Sequence, residues 1–267
     1  MHDLHNVLER VSPYIREAGV RIVHVSKTTV HEKTGHYNFV TETDVAIQEY
    51  LKLALTQVIP GSGFFAEEQE NASLSDEYTW VVDPIDGTMN FILGRHASCI
   101  SIALLYQQKP ILGMIYQPYQ QELFTAIRGE GAFLNGKPIH VSDRLPEKAL
   151  TDIGTSPYYA ELAEATAYCF QRFLQEGGDI RRVGSAALDL CDVACGRADI
   201  FCELRLSPWD YSAGSLLVAE AGGVFMMPYE AEIQYNKTTC ILAANPLCAD
   251  HAVAIVREAK KRIQPTA

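Results

Sequence analysis

The stretch Trp80-Val81-Val82-Asp83-Pro84-Ile85-Asp86-Gly87-Thr88 constrains this chain more than any other. An apolar run ends on an acid, and a second acid, a rigid turn residue, a glycine and a hydroxyl follow at once. Valine and tryptophan suit a buried strand. Pro84 fixes one φ angle and has no N–H. The strand is therefore expected to end after Val82, where buried backbone meets solvent. Both carboxylates and the Ile85 carbonyl then project from one short turn. Three oxygens from four residues suit a hard cation such as Mg²⁺, which takes oxygen ligands and keeps waters for a substrate to displace. Asp and Pro also build ordinary turns, so the string alone leaves both readings open. If Gly87-Thr88-Met89-Asn90 opens a helix, its free N–H groups form a phosphate cradle.

The rest of the chain mixes helix and strand signals. Apolar residues at helical spacing predict a helix over about 4–25, with Asp3 as N-cap and Pro13 inside it. "HEKTGHYNF" reads as a turn-rich connection, and a second helix runs from about Asp44 to Val58. "GFFA" and "TWVV" read as short strands. Residues 98–139 break into apolar segments separated by Lys-Pro, Gln-Pro and Gly signals, an antiparallel meander. Helices are expected at about 160–176, 185–196, 208–221 and 249–263, with "ADIFCEL" and "GGVFMM" as strands. Mixed blocks of this kind predict α/β or α+β layers.

With 267 residues, the chain is long enough for one large domain or two packed halves. The reading is one domain over 1–267, with sub-halves of about 1–150 and 151–267. No apolar run approaches the length of a transmembrane helix, and the N-terminus lacks a secretory pattern. Seven cysteines sit mostly in apolar runs without a Cys-x-x-Cys pair. They read as reduced core thiols and point to a cytoplasmic protein. A formal net charge of −11 argues against a nucleic-acid partner. The basic cluster Lys260-Lys261-Arg262 reads as the last turn of a helix, where cations complement the dipole.

Three further segments carry acids. "FFAEE" puts Glu67 at a strand end. "VTETD" puts Thr41 three residues before Asp44, a capping box. "SPWD" puts Ser207, Pro208 and Asp210 at the N-cap, first and third positions of a helix, where Asp210 has a purely capping reading too.

Taken together, these segments resemble the inositol monophosphatase family of Mg²⁺-dependent, Li⁺-sensitive phosphatases. The family's first signature stands as "WVVDPIDGTMNF", residues 80–91, and its second as "WDYSAGSLLVAEAGG", residues 209–223. "NFVTETD", "GAFLNGKPI" and "VGSAALDLCDVACGRADIFCE" also follow in family order, so the likeness covers nearly the whole chain.

The resemblance implies an α+β fold of alternating layers, α-β-α-β-α, with the site between two sheets. It implies two or three Mg²⁺ ions. Glu67, Asp83 and the Ile85 carbonyl would hold one, Asp83, Asp86 and Asp210 a second, and Glu67 with waters a third, weaker one. Thr88 paired with Asp44 would orient a metal-activated water. N–H groups of Gly87 and Thr88 would hold phosphate oxygens. On the alcohol side, Ser185 and Ala186 match a substrate-contacting turn, and Glu203 matches a glutamate that binds a sugar or inositol hydroxyl. Arg205 stands where many bacterial relatives have glycine; it either meets a second anionic group or faces water. The implied activity is hydrolysis of a small phosphorylated metabolite, inositol monophosphate first, by a homodimer. Fructose 1,6-bisphosphate, histidinol phosphate, adenosine 3′,5′-bisphosphate and NADP are the alternatives within the superfamily. A non-catalytic partnership with transcription or RNA-processing machinery is the alternative of another class.

Two look-alike motifs are set aside. "GAFLNGKP" lacks the hydroxyl of a phosphate-binding loop, and Asn135-Gly136 reads as a hairpin turn. "HEKTGH" has the wrong spacing for a zinc helix.

Overall fold

The computed structural model describes residues 2–25, 28–32, 39–68, 74 and 77–263. Most of the "HEKTGHYNF" connection lies outside the described residues. Asp3 accepts the N–H groups of His5 and Asn6 and starts helix α1 (Leu4–His24) where predicted. Pro13 lies inside α1 without dividing it. A small antiparallel pair, β1 (Val30–Glu32) and β2 (Phe39–Thr41), leads into α2 (Glu42–Val58), which Thr41 caps.

Next come β3 (Gly63–Ala66), β4 (Tyr78–Asp86) and the five-residue helix α3 (Thr88–Ile92). The predicted meander is β5 (Cys99–Tyr106), β6 (Lys109–Gln117), β7 (Glu122–Ile127), β8 (Gly131–Leu134) and β9 (Lys137–Ile139), each antiparallel to the last. Asn135 and Gly136 take φ values of 49° and 76°, as a type I′ hairpin turn requires. Together β3 to β9 form a seven-stranded sheet in chain order.

The second half contains β10 (Leu150–Ile153), α4 (Ala163–Glu176), β11 (Asp179–Arg181), α5 (Ala186–Ala194), β12 (Ile200–Leu206), α6 (Pro208–Glu220), β13 (Val224–Met226), β14 (Thr239–Ala244) and α7 (Ala249–Ala259). Its five-stranded sheet has the order β11-β10-β12-β14-β13.

Three cores separate five layers. Helices α1 and α2 pack on one face of the seven-stranded sheet through residues such as Ile15, Ile22, Leu51 and Trp80. Helices α5 and α6 fill the space between the sheets, with Leu190, Tyr211 and Leu217 against Phe124 and Phe201. Helices α4 and α7 cover the outer face of the five-stranded sheet. The result is an α-β-α-β-α sandwich, the α+β class that the sequence suggested. Each large apolar side chain buried in these seams contributes roughly 1.5–3 kcal/mol.

The period of two along each strand decides which side chains face the middle layer. On β4, Trp80 and Val82 belong to the outer core and Val81 to the middle one, so Asp83 follows Val81 inward. On β12, Ile200, Cys202 and Leu204 face α4 and α7, and Phe201 faces the middle layer with Glu203.

Two expectations need correction. The strand before Asp83 does not stop at Val82: β4 continues to Asp86 across an irregularity in its pairing with β5. Nor does it emerge into solvent there, since Asp83 is 1% and Ile85 0% exposed. The Asp-Pro bend is made inside the protein, against β5 and the first turn of α5. The last helix also ends early, and Lys260–Arg262 form a 3₁₀ turn in which Lys261 pairs with Glu258.

Candidate active site

Asp83, Asp86 and Asp210 converge although Asp210 is more than a hundred residues away. One carboxylate oxygen of each lies within 4.8 Å of the others. Two come from the end of β4 and the third from the first turn of α6. Among the described residues, none of the three is ion-paired to a lysine, arginine or histidine. Burial pushes the Asp83 carboxyl well above the usual carboxylate range, and the charges of Glu67, Asp86 and Asp210 push it further. Burial raises Asp86 too, but hydrogen bonds from Ser185 and the Ala187 N–H oppose it. Asp210 is raised by burial, then by Asp86 and Glu67. A buried set of like charges is costly unless a cation answers it.

Each acid is held in place. The Ile85 N–H donates to Asp83 Oδ1 at 2.9 Å. Ser185 Oγ and the Ala187 N–H donate to Asp86 Oδ2 at 2.6 and 2.7 Å, so the first turn of α5 fixes that carboxylate. Asp210 Oδ2 accepts the Ser207 N–H at 2.8 Å. It therefore caps its own helix and also stands in the acid cluster. Glu67 follows β3 beside Asp83, with its N–H on the Val82 carbonyl at 3.3 Å.

Thr88 stands at the start of α3. Its hydroxyl lies 3.1 Å from the Ile85 carbonyl oxygen and 3.4 Å from Asp44 Oδ1. Asp44 is fully buried, and its Oδ2 accepts the N–H and hydroxyl of Thr41. The capping box and the Thr88 contact thus use different oxygens of one carboxylate. Gly87, at φ 86°, makes the turn into α3. A Cβ there would lie 3.0 Å from the Ala97 carbonyl and 3.2 Å from that of Gly184.

Glu67, Asp83, Asp86 and Asp210 line a cavity of about 620 Å³ that Glu203 lines too. Glu203 Oε1 accepts the Ser156 N–H and hydroxyl at 2.8 and 3.0 Å. Burial raises its carboxyl to about 7 against those two bonds. Ala186 and Arg205 also line the cavity, whereas Ser185 is buried against Asp86. The Arg205 guanidinium lies over the Tyr159 ring, 3.8 Å from its centroid, and 3.5 Å from a Glu161 oxygen.

Other residues of the site escape sequence reasoning. Asn90 is buried and its amide nitrogen reaches the carbonyls of Ala97, Val183 and Gly184 at 2.7, 3.0 and 3.2 Å, tying α3 to the turn before α5. Asp189 lines the cavity from α5, and its buried Oδ1 has no hydrogen-bond partner among the described residues. Its signal was an acid inside the apolar run "AALDLC". Tyr158 lines the same cavity and had no signal at all. All seven cysteines are free.

The inositol monophosphatase family model matches residues 5–261. Inositol monophosphatase 2 of Solanum lycopersicum is 43% identical over 227 residues, covering 81% of this chain and 85% of that one. The Nus factor SuhB of Xylella fastidiosa (strain Temecula1 / ATCC 700964) is 39% identical over 212 residues, covering 78% and 77%. A solved IMPase/NADP phosphatase complexed with Mg²⁺ and phosphate superposes with a TM-score of 0.85 at 25% identity, covering 94% and 95%.

Proposed function

This chain belongs to the inositol monophosphatase family, a family of phosphoric monoester hydrolases, and from that premise we propose that it hydrolyses a small phosphate monoester, inositol monophosphate first. The observation that carries the reading is the cluster of Asp83, Asp86 and Asp210, ion-paired to no cation among the described residues, in a cavity that Glu203 also lines.

The donor set fits Mg²⁺. Two oxygens on opposite sides of that ion stand about 4.2 Å apart, at roughly 2.1 Å per bond. The cluster's oxygens already lie within 4.8 Å. In this reading Asp83, Asp86 and Asp210 hold one ion. Asp83, Glu67 and the Ile85 carbonyl hold a second, and Glu67 serves a third. When bound, such ions neutralise the acids and the substrate phosphate and acidify a coordinated water.

The chain's own groups do the rest. Asp44, pinned by Thr41 through Oδ2, accepts from Thr88 through Oδ1, and the pair orients the attacking water. N–H groups of Gly87 and Thr88 hold phosphate oxygens. Water oxygen joins phosphorus, the ester P–O bond breaks, and the alcohol leaves carrying a proton. Positioning and charge stabilisation supply most of the rate in phosphoryl transfer. Glu203 reads a hydroxyl of the leaving alcohol, beside the Ser185-Ala186 turn. Support for the alcohol half comes from Glu203 and its Ser156 tether.

The reading extends to one domain over 1–267, because the cavity draws residues from both sheets. It also carries Li⁺ sensitivity, a homodimer and a cytoplasmic, reducing setting, the last supported by seven free thiols. The solved relative that is an IMPase/NADP phosphatase keeps a bisphosphate-like substrate as the second reading. Phosphate release from inositol 1-phosphate, fructose 1,6-bisphosphate, adenosine 3′,5′-bisphosphate, histidinol phosphate and NADP, with Mg²⁺ and with chelator, tests both. Turnover of any of them in excess chelator refutes the metal reading. A higher kcat/KM on a bisphosphate than on inositol 1-phosphate selects the second.

A further inference from the structure

Arg205 raised a question in the sequence, and its surroundings answer it. The segment from Gly154 to Tyr159 lines the cavity beside Glu203. Ser156, at φ 41°, is in the left-handed region that favours glycine. Its N–H and hydroxyl reach Glu203, and its hydroxyl lies 3.1 Å from the Arg205 carbonyl. Those bonds hold the strained turn. The Arg205 side chain returns to the same segment: its guanidinium covers the Tyr159 ring and faces Glu161. Both partners of the cation belong to one loop.

That loop presents Tyr158. Its ring sits edge-on to Tyr159, with centroids 6.4 Å apart and planes at 81°. The side chain lines the cavity and is 42% exposed. Among the described residues its hydroxyl makes no hydrogen bond. The charges of Glu67, Glu203, Asp210 and Asp86 all act on it and, after burial, hold the phenol up at about 12. It is therefore a neutral donor in the cavity that the acid cluster and Glu203 share.

We propose that Tyr158 is a substrate-contacting specificity residue, whose O–H donates to an oxygen of the alcohol half beside Glu203, and that Arg205 is the strut that holds its loop. The inference rests on the phosphatase reading above. Glu203 accepts and Tyr158 donates, and the ring supplies an apolar surface for carbon. That combination fits a cyclic polyol with adjacent hydroxyls. It gives Arg205 no second phosphate to bind, since its guanidinium is committed to Tyr159 and Glu161.

The test uses the full chain with Mg²⁺ and two esters: inositol 1-phosphate, and p-nitrophenyl phosphate, whose alcohol half has no further hydroxyl. Tyr158→Phe removes one neutral hydrogen bond, so KM for inositol 1-phosphate should rise about 3- to 10-fold with kcat within about twofold. Kinetics on p-nitrophenyl phosphate should not move. Arg205→Met should reproduce that pattern, and Arg205→Lys, which keeps a cation over Tyr159, should restore most of it. An unchanged Tyr158→Phe enzyme overturns the proposal. So does an equal loss on both esters, which would mark a contact to phosphate or a structural role. A selective loss of fructose 1,6-bisphosphate turnover in Arg205→Met overturns the strut. A wild-type chain that releases phosphate from no ester fails the parent reading, and this inference with it; an active wild type matched by Tyr158→Phe fails the inference alone.

Discussion

Asp83 and Asp199 are equally buried, and the protein treats them in opposite ways. Asp199 is surrounded by donors: the Ser142 hydroxyl, Arg144 Nε at 2.8 Å, the Leu150 N–H at 2.7 Å and Asn245 Nδ2 at 3.3 Å. Its charge is fully answered within the chain, and it joins β10, the start of β12 and the approach to α7. Asp83 has the Ile85 N–H and otherwise faces acids. The first arrangement is that of a structural ion pair; the second sets a buried carboxyl among like charges. Burial alone therefore says nothing about function. The partners of the buried charge do.

The largest way to break this comparison is to remove each charge in turn. Asp83→Asn should lower kcat/KM by at least ~10³-fold, because it takes a ligand from two ions at once. The folded state should survive, since one desolvated, repelled charge is gone. Near-normal phosphate release by the purified, folded variant would refute the bridging role. Asp199→Asn should do the reverse. Arg144 loses its buried partner but is 40% exposed and can rehydrate, so the cost is roughly 1–3 kcal/mol of stability. Urea midpoints should fall, while kcat of the folded enzyme stays within about twofold.

Mg²⁺ sharpens the same contrast without chemistry. A ligand that binds only the folded chain at ~100 times its Kd adds ~2.7 kcal/mol per site. Wild type and Asp199→Asn should gain this together, and Asp83→Asn should gain much less. Equal Mg²⁺ stabilisation of all three in thermal melts would move the ion elsewhere.

A third aspartate lies between the two cases. Asp152, on β10, is 2% exposed, and burial raises its carboxyl to about 7 with Asp192 adding to the effect and Arg181 opposing it. An acid whose folded pKa is raised binds its proton more tightly in the folded state. Below about pH 4 both states are protonated and burial of Asp152 costs nothing on this account. The cost then grows as pH rises towards 7 and levels off above. Asp152→Asn should thus match wild type near pH 4 and exceed it by up to about 4 kcal/mol at pH 8. A constant difference across that range in urea unfolding would mean that Asp152 does not titrate in it.

The contrast also explains what could be read from the sequence. The acid cluster was legible because most of it is local: Asp83, Ile85, Asp86 and Thr88 stand within six residues, and strand period and helix start fix their directions. Asp210 was legible as a cap, and the cap proved to be part of the cluster rather than an alternative to it. The alcohol wall is built differently. Ser156 and Glu203 are 47 residues apart, and the loop carrying Tyr158 follows β10, a four-residue strand that the sequence did not announce. Strand β14, a buried apolar run, passed as core around Cys240 although it is the neighbour that anchors β12. Short strands buried on both faces have no alternation to betray them.

The smallest predicted effect asks whether the two walls are separable. Gly154 ends the short run after β10, directly under Glu203. A Cβ there would lie 1.9 Å from Glu203 Oε2 and 2.2 Å from its carboxyl carbon. Alanine is permitted by this backbone φ, but the new Cβ would also lie 2.7 Å from Glu203 Cβ, so Gly154→Ala should fold only with β10 and β12 parting slightly as the carboxylate swings away. Losing a hydrogen bond that a substrate hydroxyl donates to a charged or partly charged acceptor costs about 1.5 kcal/mol, roughly a tenfold rise in KM for inositol 1-phosphate. The acid floor is untouched, so Mg²⁺ stabilisation and p-nitrophenyl phosphate turnover should stay at wild-type values. A variant that instead lost Mg²⁺ binding along with polyol recognition would mean that the walls move together, and that Glu203 helps to place the acids it faces.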